Sequence, residues 1–306
     1  MKALVTGGAG FIGSNLVEAL VRQGDTVTVL DDFSVGDPRN VQQSNKVRIV
    51  NGNVADFDLV HELVAQSNIV YHLAVKCLEM CNDNPMLAHR INAGGTFNVC
   101  VAALKAKSKV VYISSSEIYG TCKYAPMDEK HPANPQSIYG VTKLMGEEYV
   151  RYYNQYYHVP AVIIRPFNSF GPNLRDDHYS PVITSFIRHA QRFEPLVIEG
   201  SGEQSRDFTY VSDTVDGILL LSKLNNGETV NIGSGKAVSI NHLAEEVLRL
   251  CDVSPEARVL VHKEPRINDV YKLEADITRA RELGYKPKVS FEDGLKKYVE
   301  WLGKPA

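Results

Sequence analysis

Three groups of residues have the types and spacing to do chemistry. Tyr139-Gly140-Val141-Thr142-Lys143 sets a phenol and an ammonium four residues apart, which is one turn apart on one face of a helix. A free phenol titrates near ~10 and is a poor base at neutral pH. An adjacent ammonium and an oxidised nicotinamide would both stabilise the phenolate and bring that value down. Val111-Tyr112-Ile113-Ser114-Ser115-Ser116-Glu117 ends an apolar run in three hydroxyls and a carboxylate, where a strand of a parallel sheet meets its ligand. Gly7-Gly8-Ala9-Gly10-Phe11-Ile12-Gly13 follows another apolar run. There Gly7 permits a tight turn, Gly10 lets the backbone approach a pyrophosphate, and Gly13 allows close helix–strand packing. The next apolar run ends in Leu30-Asp31-Asp32, and a carboxylate at Asp31 suits both ribose hydroxyls while repelling a 2′-phosphate. The combination predicts a dinucleotide site that takes NAD, with Tyr139 as the base beside it.

These residues need elements to hold them. Short β-branched runs at Lys2–Thr6, Thr26–Leu30, Val47–Asn51, Ile69–Leu73, Val110–Ser114 and Ala161–Arg165 alternate with amphipathic stretches such as Ser14–Gln23, Pro85–Lys105 and Tyr139–His158. Such alternation predicts right-handed crossovers and an α/β fold with a parallel sheet covered on both faces. After Arg165 the pattern shortens, with one helical stretch near Pro181–Arg192, and a smaller second lobe is expected. The 306 residues suffice for a sizeable core, and a net charge of −3 with 23% charged residues argues against a nucleic-acid protein built on a basic surface. No run approaches the ~18 apolar residues of a membrane span. The chain enters its first strand without a secretory leader, and its five cysteines are scattered, so reduced thiols in the cytoplasm are expected.

The motifs together resemble the extended short-chain dehydrogenase/reductase family, and within it the NAD-dependent nucleotide-sugar epimerases and dehydratases. The resemblance covers essentially the whole chain. It is carried by the glycine loop, His72-Leu73-Ala74, Asn92-x-x-Gly95-Thr96, Ser115 with Tyr139 and Lys143, Arg165-Pro166-Phe167-Asn168-x-x-Gly171-Pro172, and Gly200-Ser201-Gly202-Glu203-Gln204-Ser205-Arg206-Asp207-Phe208-Thr209-Tyr210-Val211. It implies a Rossmann-type doubly wound parallel sheet over residues 1–167, to which 208–232 returns. A smaller, interleaved substrate lobe would comprise 168–207 and 233–306. NAD would lie on Gly7, Gly10, Phe11, Ile12, Gly13, Asp31, Asp32, Asn53, Val54, Leu73, Ala74, Lys76, Asn92, Ser114, Tyr139, Lys143 and Pro166. Asn53 stands where the family usually has an Asp that accepts a bond from adenine; its amide oxygen could do the same. By the same resemblance Tyr139 takes the proton of a sugar C4 hydroxyl, Ser115 bonds that oxygen, and Lys143 tunes Tyr139. Ser116 and Glu117 complete the catalytic set. A UDP-linked hexose would be held by Lys76, Ser115, Glu117, Asn168, Arg206, Arg266 and Asp269, the arginines meeting the diphosphate.

A C4 ketone can be reduced on its other face, can drive loss of the C6 hydroxyl, or can drive loss of a C6 carboxylate. Elimination needs an acid/base group near C5 and C6, and Glu117 is the candidate. Ser115-Ser116-Glu117-Ile118-Tyr119-Gly120 resembles a stretch of some 4,6-dehydratases and UDP-glucuronate decarboxylases, so elimination is slightly favoured and 4-epimerisation is the alternative. A helix-capping or solvated Glu117 stays open. The decarboxylases carry an arginine where this chain has Leu273, which disfavours that outcome. No metal is expected, since Cys77-x-x-x-Cys81 lacks a second ligand pair. His72 reads as a packed core histidine. Tyr149, Tyr152, Tyr153 and Tyr156 recur at helical spacing and suit either core packing or a homodimer interface.

Overall fold

The computed structural model of the chain describes residues 1–177, 179–265 and 270–303. The strands are β1 (Lys2–Thr6), β2 (Thr26–Asp31), β3 (Val47–Asn51), β4 (Ile69–His72), β5 (Lys109–Ile113), β6 (Ala161–Pro166), β7 (Asn168–Phe170), β8 (Leu196–Glu199), β9 (Ser205–Tyr210), β10 (Asn226–Ile232), β11 (Ala237–Ser239) and β12 (Leu260–Lys263). Among the described residues, seven of them form one sheet in the order β10-β6-β5-β4-β1-β2-β3, every neighbouring pair parallel. The chain reverses its direction of travel across the sheet between β1 and β4. The crevice beyond the carboxyl ends of those strands is where such a sheet binds its ligand. The α/β fold class is as the strand–helix alternation predicts.

The main helices are α1 (Phe11–Arg22), α2 (Phe57–Ala65), α3 (Leu78–Asp83), α4 (Pro85–Ala88), α5 (Gly95–Ala106), α6 (Ile138–Tyr157), α7 (Val182–Gln191), α8 (Val211–Leu221) and α9 (Ile240–Leu250). Residues alternate between faces along each strand, so the sheet is apolar on both sides. Val5, Val29 and Val111 face Leu16 and Leu20 of α1 and Ile218 of α8, whereas Leu4, Val70 and Tyr112 face Val60 of α2, Val99 of α5 and Val150 of α6. Each such side chain, fully removed from water, contributes roughly 1.5–3 kcal/mol.

Two departures from the expected elements bear on the site. The stretch Pro85–Lys105 is not one helix: a wide π-turn at His89–Gly94 separates α4 from α5. The buried Asn92 lies in that turn, its Oδ1 accepting the Lys76 N–H at 2.8 Å. Of the segment expected to return to the large sheet, Val230–Ile232 lies in β10 beside β6. Phe208–Tyr210 does not: β9 pairs with β7 and β11 in a three-stranded sheet, and the Phe208 ring packs on Phe170 and Phe291. A third apolar cluster joins α7, α9 and the helix Phe291–Leu302 to those strands.

Helix α6 lies hard against β5 because residue 146 has no side chain. A Cβ at Gly146 would collide with the Tyr112 hydroxyl, which donates to the Lys143 carbonyl at 3.1 Å. The Gly146→Ala substitution is therefore expected to cost roughly 1–3 kcal/mol through overpacking, despite alanine's better helix propensity. Thermal unfolding of the variant checks this, and an unchanged or raised Tm would contradict it.

Candidate active-site cleft

A cleft of about 380 Å³ opens at the carboxyl ends of β1, β2, β4 and β5. The glycine turn forms its floor. Gly7 has φ +70°, and a Cβ there would lie 2.7 Å from the Ala74 nitrogen; a Cβ at Gly13 would collide with the Gly7 carbonyl oxygen. Gly10 caps α1 without a side-chain bond, so the first backbone N–H groups of α1 meet the cleft at Phe11 and Ile12. Free amides and the positive end of a helix dipole suit a pyrophosphate. The residues present thus fit a dinucleotide.

At the far end of the wall, Asp31 is buried and its carboxylate accepts the Ala9 N–H and the Phe33 N–H, each at 2.9 Å. Burial pushes its pKa up, and those two bonds oppose that. An ionised carboxylate offers about four acceptor positions, so two remain for ribose hydroxyls. Asp32 is held lower than usual despite its partial burial, because Ser34 and Lys76 donate to it. Lys76 was expected at both cofactor and sugar. Its Nζ lies 3.1 Å from Asp32 Oδ2 and also bonds Ser34 Oγ, which turns the ammonium toward the ribose carboxylates and away from the sugar position. Asn53 lines the cleft, but its amide serves the protein: Nδ2 donates to Asp32 at 2.8 Å and Oδ1 accepts the Ala55 N–H at 2.8 Å.

The other end of the cleft holds Tyr139, Lys143, Ser114, Ser115 and Pro166. The short turn after β5 begins at Ser115, whose Oγ accepts the Glu117 N–H at 3.2 Å, and Ser137 caps α6 by accepting the Gly140 N–H at 3.0 Å. Helix α6 then delivers Tyr139 and Lys143 on one face. Tyr139 hydrogen-bonds Ser115, which lowers its pKa, but burial dominates and holds the phenol above its ordinary value. The expected help from Lys143 is absent in the protein alone. Its ammonium bonds the Ile113 carbonyl and sits 4.5 Å from the centre of the Tyr112 ring, on the strand and not on the phenol. Burial brings Lys143 down to about 7.

Several predicted residues lie elsewhere. Among the described residues, Asn92, Ser116, Glu117, Asn168 and Arg206 do not line the cleft. Asn92 is a brace: besides taking the Lys76 N–H, it donates to Thr142 Oγ1 at 3.0 Å, tying the 76–81 segment to α6. Ser116 is buried behind Ser115 and accepts the Tyr119 N–H through its carbonyl. Glu117 is half-buried in the short turn, near enough for its charge to raise the Tyr139 pKa. Asn168 heads β7 with a buried Oδ1 that has no hydrogen-bond partner among the described residues. Arg206 donates from Nη1 to the Val270 carbonyl at 2.6 Å, so it braces the chain that follows position 269. Arg266 and Asp269 lie outside the described residues. His72 is a core residue, its Nδ1 2.7 Å from Thr6 Oγ1, and burial drives it down to about 3.

Sequence reasoning missed two features of the wall. Ser34, Val35 and Gly36 complete the ribose end. Arg175 and Cys77 flank the Tyr139 end, with Arg175 Nη1 2.8 Å from Cys77 Sγ and the rest of the guanidinium on Asp177. The unusual Val75–Cys81 run was the available signal for the second.

The profile of the NAD dependent epimerase/dehydratase family matches residues 3–233. A putative UDP-glucose 4-epimerase of Methanocaldococcus jannaschii is 35% identical over 303 residues, covering 98% of this chain and 97% of that one. A UDP-N-acetyl-alpha-D-glucosaminuronate decarboxylase of Bacillus cytotoxicus is 34% identical over 98% of this chain and 97% of its own. The crystal structure of the Thermotoga maritima UDP-glucose 4-epimerase with UDP-glucose superposes with a TM-score of 0.93 at 31% identity, over 99% of this chain and 98% of that one.

The depressed Lys143 value has a testable sign. Unfolded lysine titrates near ~10.4, so between pH 7 and that value the unfolded chain binds more protons and stability from this group rises with pH. A buried ammonium thus costs on the order of a few kcal/mol at neutral pH. Lys143→Met is expected to be more stable than wild type at pH 7, with the gain shrinking by pH 10, measured by urea unfolding. An equal gain at both pH values would contradict the burial origin.

Proposed function

The chain belongs to the NAD-dependent epimerase/dehydratase family, and on that premise we propose that it oxidises C4 of a UDP-linked hexose transiently and completes a 4-epimerisation. One observation carries the reading: the wall that bears the glycine turn and Asp31 also bears Tyr139, Ser115 and Lys143. NAD, held by the glycine turn and Asp31, would supply the hydride acceptor and donor for C4. Tyr139 takes the C4 hydroxyl proton, Ser115 donates a hydrogen bond to the same oxygen, and Lys143 supports the charge. After the ketone has turned, hydride would return to the opposite face of C4 and Tyr139 would return the proton to the C4 oxygen.

The sequence leans toward elimination; the geometry leans the other way. Loss of water needs an acid/base group near C5 and C6. The carboxylates lining the cleft among the described residues are Asp31 and Asp32, both at the ribose end, and Glu117 is outside the lining. Leu273, at the position where decarboxylases carry arginine, is buried in the core. Dehydration is the second reading, and the proximity of the Glu117 charge to Tyr139 is its support. UDP as the nucleotide rests on the names of the relatives; Asn168, Arg206 and Arg266 are proposed to meet its diphosphate, and Asp269 another part of the substrate.

Incubation with UDP-, dTDP- and GDP-sugars in deuterated water separates these outcomes. The expected product has unchanged mass and inverted C4. Deuterium at C5 with loss of water would establish dehydration, and loss of carbon dioxide would establish decarboxylation. Tyr139→Phe is expected to lower turnover by about 10²–10⁴ with NAD affinity retained. Glu117→Gln should stay within about threefold of wild type, and loss of all turnover there would restore the elimination reading.

We also propose a homodimer through α5 and α6. Phe97 packs on Tyr149 and Tyr153 with ring centres 5.3 and 6.3 Å apart, and Tyr152, Tyr156 and Met86 extend this apolar face into solvent. A contiguous apolar face of this kind suits a two-fold contact. Light scattering at micromolar concentration is expected to give about twice the 34.0 kDa chain mass. A particle of single-chain mass would exclude it.

A further inference from the structure

Glu147 lies on α6, eight residues after Tyr139 and four after Lys143, and its side chain is fully buried. The C4 chemistry gives it no task, yet its carboxylate takes four hydrogen bonds. Oε1 accepts from Ser114 Oγ at 2.6 Å and Arg165 Nε at 2.8 Å; Oε2 accepts from Arg165 Nη2 at 2.6 Å and Arg151 Nη2 at 2.5 Å. Ser114 follows β5 and directly precedes Ser115, Arg165 belongs to β6, and Arg151 is one turn further along α6. One anion thus joins the strand end that carries Ser115 to the helix that carries Tyr139 and Lys143.

The same carboxylate faces Lys143 from one turn away. Among the described residues, the titratable groups that face that ammonium are Glu147 on α6, Tyr112 on β5, His72 on β4 and Cys81 on α3, with Tyr139 one turn earlier on α6. Burial keeps His72 neutral, the Cys81 thiol is pushed up to about 11, and both phenols sit above their ordinary range. Of these groups, Glu147 alone is anionic at neutral pH. We propose that Glu147 is a positioning residue: it locks Ser115, Tyr139 and Lys143 in register across the β5–α6 seam and stands as the counter-charge one turn from the Lys143 ammonium. The consequence for turnover rests on the C4-oxidation reading; the effect on Lys143 does not.

The test follows Lys143 in the full-length chain by NMR of ε-¹³C-labelled lysine, with the signal assigned by its loss in Lys143→Met. Glu147→Gln is expected to lower the Lys143 titration midpoint by about one unit or more. Because that change leaves the buried Arg165 without its carboxylate partner and puts folding at risk, Arg151→Met serves as the second variant. It strips a counter-charge from Glu147 and should raise the midpoint. A Lys143 titration unmoved in both variants, or unmoved in Arg151→Met when Glu147→Gln does not fold, would overturn the proposal. For the register, Ser114→Ala should lower kcat on UDP-glucose about tenfold with little change in KM, and Ser114→Thr, which keeps the hydroxyl, should restore it. Wild-type kcat in Ser114→Ala would overturn that part. If the wild-type chain turns over no sugar in the panel, the function reading fails while the lysine titration still decides the role of Glu147.

Discussion

The site depends on two opposite charges buried one turn apart on α6 and pressed against β5. Removing an ammonium and a carboxylate from water costs several kcal/mol each, and only close partners offset it. Lys143 has the Ile113 carbonyl and the face of Tyr112; Glu147 has Arg165, Arg151 and Ser114. Those partners exist only if helix and strand approach closely, which the missing side chain at Gly146 permits. Ser115 and Tyr139 meet because of the same approach. Such a seam is a weak source of net stability, but removing Glu147 would leave the buried Arg165 guanidinium without its partner at a cost of about 3–5 kcal/mol, so it fixes one arrangement strongly.

The cleft has a second fixed end. Asp31 shapes the glycine turn through the Ala9 N–H while keeping acceptor positions for a ribose, and Lys76 is committed to Asp32 and Ser34. Between these ends lie backbone amides and apolar side chains, with few charges to misdirect a dinucleotide. The phenol of Tyr139 is held protonated at neutral pH. Its burial opposes ionisation, and Lys143 is turned to the strand. A positive charge arriving beside it would favour the phenolate, which couples proton abstraction to the presence of the oxidised cofactor.

The large sheet was legible because its strands are short, β-branched and buried on both faces, and because they alternate with helical stretches such as α1 and α6. The glycine turn and Asp31 were legible for a related reason: backbone geometry leaves little choice of residue there. What could not be read are partnerships between distant segments. Nothing local distinguishes an Asn92 that touches cofactor from one that braces Lys76 and Thr142. Nothing near Arg206 says that it will hold the Val270 carbonyl. The Phe208 strand reads like a member of the large sheet until Phe170 and Phe291 claim its ring. Glu147 was invisible as more than a helical residue because its burial depends on Arg165 arriving from β6.

The most direct measurement is an ultraviolet difference titration that isolates the Tyr139 phenolate by subtracting the Tyr139→Phe chain, without and then with saturating NAD. In the protein alone this phenol should stay protonated past the ordinary tyrosine value of ~10. With NAD added, its midpoint should fall by about two units or more. A midpoint that NAD leaves in place would contradict the coupling on which the C4 chemistry relies.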